Sequence, residues 1–162
     1  MEIINGERLV LGTCYYPEHW DESLWRDDLK RMLENGIEVI RIAEFAWSKI
    51  ERYEGVFNYD FFDRFLDVAA DMGMKVIFCT PTATPPAWLT EKYPEVLNAN
   101  MDGVLYRHGG RRHYNYNSPK YQELTTIIVE KSASHYAKHP AIIGWQIDNE
   151  LNCEKNEFYS ES

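Results

Sequence analysis

Four short, nearly continuous apolar runs punctuate this chain: Leu9–Tyr15, Ile37–Ala43, Met74–Thr80 and Ala141–Asp148. Continuous rather than alternating apolar residues predict strands buried on both faces, as in a parallel sheet flanked by helices. The segments between them have helical periodicity. Ser23 to Asn35 carries Leu24, Trp25, Leu29, Met32 and Leu33 as a stripe, with Ser23 as a capping residue, Asp27 and Asp28 near its start and Gly36 as its stop. A second helix is expected over Asp60 to Met72, with Phe61, Phe62, Phe65, Leu66, Ala69 and Ala70 turned inward and Gly73 at its end. After the third run a polar, turn-rich stretch extends to about Asn117, with a short helix over Pro86 to Lys92. Ser118-Pro119 then opens a third long helix to about Lys138, since proline's missing N–H costs nothing at the first helical position.

Strand–helix alternation of this kind predicts an α/β fold with a parallel sheet. A full (β/α)8 barrel typically needs about 250 residues. This chain has 162, so residues 1–162 read as the first half of something larger, with about four βα units. Few residues follow the fourth run, and a four-stranded parallel sheet leaves two open edges, which invite association.

Charge and cysteines bound the function. Twenty-six acidic residues against 17 basic give a net charge of -9, which argues against nucleic acid or an anionic membrane surface as the main partner. No apolar run approaches the roughly 18 residues of a membrane span. The segment Met1 to Arg8 lacks the basic-then-apolar order of a secretory signal. Cys14, Cys79 and Cys153 are odd in number and far apart, with no CxxC pair. Cys14 and Cys79 sit in apolar runs and are expected to be small buried hydrophobes. The expectation is a cytoplasmic protein with reduced thiols and no cofactor.

In parallel α/β folds, ligands bind at the C-terminal ends of strands. Those ends read Tyr15-Tyr16-Pro17-Glu18-His19-Trp20, Arg41-Ile42-Ala43-Glu44-Phe45-Ala46-Trp47, Thr80-Pro81-Thr82-Ala83-Thr84-Pro85-Pro86-Ala87-Trp88 and Gln146-Ile147-Asp148-Asn149-Glu150. The opposite ends hold ordinary turn residues. Carboxylates, an arginine, an asparagine and tryptophans suit a sugar, which offers hydroxyls to the polar groups and a C–H face to a ring. Glycoside hydrolysis needs two carboxyl groups, one of which protonates the leaving oxygen. Glu150 is the best acid candidate, because partial burial directly after an apolar strand would raise its pKa. Glu18 and Glu44 are expected to orient an arginine or cap a loop, and Asp148 to hydrogen-bond neighbouring loops. His19 and His113 are expected to be structural. Trp47 and Trp88 either stack on sugar or close the barrel mouth. Arg111 and Arg112 adjoin Arg107 and, on the residues alone, read as a solvated basic loop.

In order along the chain, Cys14-Tyr15-Tyr16-Pro17-Glu18-His19-Trp20, Arg41-Ile42-Ala43-Glu44-Phe45-Ala46-Trp47, Thr80-Pro81-Thr82-Ala83-Thr84-Pro85-Pro86, Arg111-Arg112-His113-Tyr114 and Asp148-Asn149-Glu150 form a series. The series resembles the N-terminal catalytic domain of the glycoside hydrolase family 42 β-galactosidases, from about Leu9 to Leu151. The resemblance implies a (β/α)8 barrel that hydrolyses terminal β-D-galactosides with retention. It implies Glu150 as general acid/base, Asn149 on the sugar 2-hydroxyl, Arg111 on galactose hydroxyls and Arg41 ordering the site near the nucleophile. The family nucleophile is a glutamate later in the barrel, and no residue here matches it. Some members hold a structural zinc through cysteines, one of them directly after Arg-Arg-His-Tyr. Here that position is Asn115, so no zinc is expected. The resemblance also suggests a homo-oligomer. Two alternatives stay open: a non-catalytic piece that self-associates or binds sugar weakly, and a related retaining glycosidase acting on another sugar.

Overall fold

The computed structural model describes residues 9–151 and 157–161; Cys153 lies outside them. In chain order the elements are β1 (Leu11–Cys14), α1 (Trp25–Glu34), β2 (Ile37–Ile42), α2 (Trp47–Ile50), β3 (Glu51–Tyr53), β4 (Val56–Phe57), α3 (Asp60–Met72), β5 (Lys75–Cys79), α4 (Ala87–Lys92), α5 (Pro119–Tyr136) and β6 (Ile142–Gln146). The four apolar runs and the expected helices are all present. The α2 helix and the β3–β4 hairpin are additions.

The chain forms two compact units. The first takes the residues up to Glu44, then Tyr59–Cys79 and Tyr136–Ile147. It holds a parallel sheet in the order β1-β2-β5-β6. Helices α1 and α3 pack on β2 and β5. From the sheet, Ile40, Ile42, Val76 and Phe78 are fully buried, as are Leu29 of α1 and Phe62, Phe65, Leu66 and Ala69 of α3. Trp25 meets Phe65 edge-on at 5.1 Å, and Phe62 meets Phe78 at 5.7 Å. Each such side chain contributes about 1.5–3 kcal/mol through burial. Gly73 ends α3 with φ of 77°, and the next amide, Met74 N–H, reaches back to the Ala69 carbonyl at 2.9 Å. That reach is the Schellman closure, and a β-carbon would oppose it.

Three expectations are corrected here. The central strands are not buried on both faces: Val39, Arg41, Lys75 and Ile77 are only half-buried and alternate with the buried set. The helices cover one face of the sheet. All four residues of β1 are exposed, Cys14 among them, because β1 is an edge strand with β2 as its neighbour. Cys79, on the inner strand β5, is buried as expected, and burial pushes its thiol up to about 12. Ser23 does not cap the first helix with its side chain. The acceptor is Asp21, whose carboxylate takes Ser23 N–H at 2.9 Å and opens a 3-10 turn, Glu22–Leu24, ahead of α1.

The second unit takes Phe45–Asn58, Thr80–His135 and the residues from Asp148 on. Its core gathers Trp47, Ile50, Leu89, Val96, Tyr114, Tyr121 and Ile128. The turn-rich stretch is laced by backbone bonds rather than by long strands. Asn98 N–H donates to the His113 carbonyl at 2.9 Å, and Asn115 N–H to the Val96 carbonyl at 2.8 Å. Two buried asparagines then hold the residues after 156. Asn98 Nδ2 donates to the Glu157 carbonyl at 2.9 Å, while its Oδ1 accepts from the Tyr159 N–H at 3.3 Å and from the Ala99 N–H at 2.8 Å. Asn115 Nδ2 donates to Ser160 Oγ at 2.8 Å.

Candidate active site

Within the second unit, the Asp148-Asn149-Glu150 turn meets the loop around Arg111 and Arg112. Asp148 is buried and its backbone sits at φ of 52°. Its Oδ2 accepts from the Thr82 hydroxyl at 2.6 Å, and its Oδ1 accepts from Arg112 Nη1 at 3.2 Å and from the Asn149 N–H at 2.6 Å. Its own N–H donates to Thr80 Oγ1 at 2.8 Å. The expectation that Asp148 bonds neighbouring loops is met on both oxygens.

Glu150 stands two residues on, with φ of 46°. Its carboxylate accepts from Arg111 Nη2. Both side chains are open to solvent, 49% exposed for Glu150 and 42% for Arg111. About half of the Glu150 side chain is thus covered and half is open. The left-handed backbone at Asp148 and Glu150 turns the chain away from the strand path, and the residue that buries its carboxylate is Asp148.

Arg111 is exposed, as a basic loop would have it, but Arg112 is not. Arg112 is 2% exposed, and its Nη1 donates to the hydroxyls of Tyr114, at 2.8 Å, and Tyr116 as well as to Asp148. Tyr114 in turn donates to the Ala83 carbonyl at 3.1 Å, and Tyr121 to the Thr82 carbonyl at 2.7 Å. Sequence reasoning missed this support of Arg112, Tyr114, Tyr116, Tyr121 and Thr82. Nothing in the sequence signalled it: the φ of 59° at Arg112 is a property of the folded loop.

Arg41 belongs to the first unit and has its own partners. Its guanidinium donates to Gln146 Oε1, to Glu44 Oε2 at 2.7 Å and to Cys14 Sγ at 3.0 Å. The Tyr16 hydroxyl donates to the same Glu44 oxygen at 2.9 Å. Burial, and then the Glu44 carboxylate, push the Tyr16 phenol up to about 12. Glu44 thus orients an arginine, as expected. Of the four expected site residues, the structure brings Arg111 onto Glu150, puts Asn149 between Asp148 and Glu150 with its N–H on Asp148, and holds Arg41 in this separate network.

Trp47 is fully buried, with Nε1 on Glu51 Oε2 at 2.7 Å, which makes it part of the second unit's core. Trp88 donates its Nε1 to the Glu51 carbonyl at 3.0 Å. His113 is buried and its Nδ1 pairs with the Gly110 carbonyl. A thiolate site for zinc does not fit here: Asn115 presents an amide donor already given to Ser160. Among the described residues no three histidine, cysteine or acidic side chains cluster as metal ligands, and no helix is long and apolar enough to cross a membrane.

Comparison with known proteins places this geometry. The family described as beta-galactosidase, glycoside hydrolase family 42, matches residues 14–162. The chain belongs to that family. It is 43% identical over 145 residues to beta-galactosidase Bga of Halorubrum lacusprofundi, a match covering 90% of this chain and 21% of that protein. It is 45% identical over 144 residues to beta-galactosidase BgaA of a Thermus species, covering 89% of this chain and 22% of the relative. The crystal structure of beta-galactosidase from the psychrophilic Marinomonas ef1 superposes with a TM-score of 0.91 at 42% identity, over 94% of this chain and 24% of that one. The chain thus spans about a fifth of the length of the relatives it matches. With such neighbours, the four parallel strands and their helices are part of an α/β TIM barrel.

Proposed function

We propose that the chain supplies the acid/base part of a retaining β-galactosidase site. The observation that carries this reading is the Arg111–Glu150 pair on the turn directly after β6. It sets a solvent-facing carboxyl beside a guanidinium suited to sugar hydroxyls. In the first step the Glu150 carboxyl gives its proton to the glycosidic oxygen as the anomeric C–O bond breaks. A second carboxylate, on a later strand outside this chain, attacks the anomeric carbon. Glu150, now a carboxylate, then takes a proton from the water that releases galactose. Arg111 exchanges its bond with Glu150 for galactose hydroxyls, Asn149 serves the 2-hydroxyl, and Arg41 orders the region of the nucleophile. Cytoplasmic location is part of the same reading; the free thiols of Cys14 and Cys79 support it. Assembly into a homo-oligomer is a further part, taken from the resemblance alone.

Aryl β-D-galactoside hydrolysis tests the proposal. The chain alone is expected to show no turnover. With the rest of the barrel joined to it, turnover is expected, and Glu150→Gln should lower it by about 10²–10⁴. Turnover by the chain alone, abolished in Glu150→Gln, overturns the placement of the nucleophile outside the chain. A joined enzyme indifferent to Glu150→Gln overturns Glu150 as the acid/base.

The exposed edge strand β1 favours one other reading, a chain that self-associates without catalysis. Sedimentation showing a folded monomer counts against it.

A further inference from the structure

Two consecutive arginines grip one turn. Arg111 takes Glu150 on the solvent side, and Arg112 takes Asp148 in the interior. We propose that Arg112 is a positioning residue for the acid/base step: acting through Asp148, it fixes where the Glu150 carboxyl stands. The inference rests on the reading of Glu150 as the acid/base.

Asp148 has little freedom left. Its two oxygens take Arg112, the Asn149 N–H and Thr82, and its N–H is held by Thr80. The backbone entering Glu150 is therefore held at the amides of both Asp148 and Asn149. Arg112 is the one full positive charge among these partners, and it sets a guanidinium against a buried carboxylate.

Arg112 is an expensive choice for that task. Its Nε and Nη2 are buried with no acceptor among the described residues, so Nη1 alone carries its hydrogen bonds. Unmet buried donors cost free energy. Left-handed backbone at Arg112, Asp148 and Glu150 adds to that cost, and strain of this kind gathers where geometry matters to function. A stability role alone would be served as well by an apolar side chain facing a neutral partner. The Tyr116 ring lies 5.6 Å from the guanidinium, and the Tyr114 and Tyr116 hydroxyls fix its end. Arg112 is too buried to reach a substrate, so any effect on the reaction passes through Asp148.

The test uses the complete enzyme, with this chain continued by the rest of its barrel, and aryl β-D-galactosides whose leaving groups run from acidic to weakly acidic phenols. Loss of proton donation hurts the poor leaving groups most. Arg112→Lys keeps the charge but cannot span Asp148, Tyr114 and Tyr116 at once. It is expected to lower kcat/KM, which reports the proton-donating first step, by about tenfold or more for the poorest leaving group, with little change for the best. Asp148→Asn, nearly the same shape, should show the same slope against leaving-group acidity and serves if Arg112→Lys does not fold. A loss equal across the series, or no loss, overturns the proposal. Glu150→Gln is the reference. If it lacks the leaving-group slope, the acid/base assignment fails. If it has the slope and neither Arg112→Lys nor Asp148→Asn does, the positioning role alone fails.

Discussion

Arg41 and Arg112 perform the same elementary task in two regions of the molecule, and they do it differently. Each sets a guanidinium against a buried carboxylate, Glu44 for one and Asp148 for the other. Arg41 rises from a strand, its side chain is 27% exposed, and it spreads its donors over Gln146, Glu44 and Cys14. Arg112 leaves a loop at positive φ, is 2% exposed, and among the described residues works through one nitrogen. A strand supplies side-chain direction from its pleat. A loop must supply it from unusual backbone angles and buried ion pairing.

The sharpest way to break this comparison is to delete each arginine. Arg112→Ala leaves the Asp148 carboxylate buried beside a void, and a loss of about 3–5 kcal/mol is expected. The Arg41 side chain is 27% exposed against 2% for Arg112, so in Arg41→Ala water can replace its lost bonds to Glu44 and a smaller loss of about 1.5–3 kcal/mol is expected. Urea unfolding of the two variants measures both. Equal losses would show that strand-borne and loop-borne pairs do not differ.

A gentler probe is Ala43→Gly. Ala43 is fully buried at φ of 67°, just after β2. Glycine in a strand usually costs about 0.5–1 kcal/mol, but here it also removes strain of about 1–3 kcal/mol. Net stabilisation of about 1 kcal/mol is expected from the thermal midpoint, and a lower midpoint would mean that the backbone there is not strained.

The smallest effect concerns pH. Burial holds the His113 imidazole below its usual 6.5, so the folded protein binds fewer protons there than the unfolded chain does. Stability should be full above about 6.5 and fall as the pH drops below it. Urea midpoints across that range should slope for the parent, and less so for His113→Gln. A flat parent would remove His113 from the account.

The same contrast explains what the sequence revealed. Helix α3 was legible at both ends because its aromatic stripe is long and Gly73 marks the stop, and β2 and β5 fall within about a residue of their apolar runs. Glu150, Arg111 and Asn149 were singled out through motif resemblance, and their roles stay part of the proposal. The α2 helix and the β3–β4 hairpin were not, since strands of two or three residues cannot display a period. Exposure of β1 was hidden because an apolar run reads the same in an edge strand as in an inner one. The supporting role of Arg112 was hidden because nothing in an arginine's identity announces φ of 59°.

Asn98 carries one more lesson. Its side-chain amide donates to one backbone carbonyl and accepts from a backbone N–H two residues further along, at Glu157 and Tyr159. That is how the N–H and C=O of one residue on an adjacent parallel strand would bond the same segment. One planar amide imitates a single rung of a β-ladder, and does so where no strand runs. Such a rung is only as durable as the amide's nitrogen. Hydrolysis of that amide to a carboxylate would turn the donor into an acceptor facing the Glu157 carbonyl, so the hold on residues 157–159 has a chemical shelf life as well as a thermodynamic one.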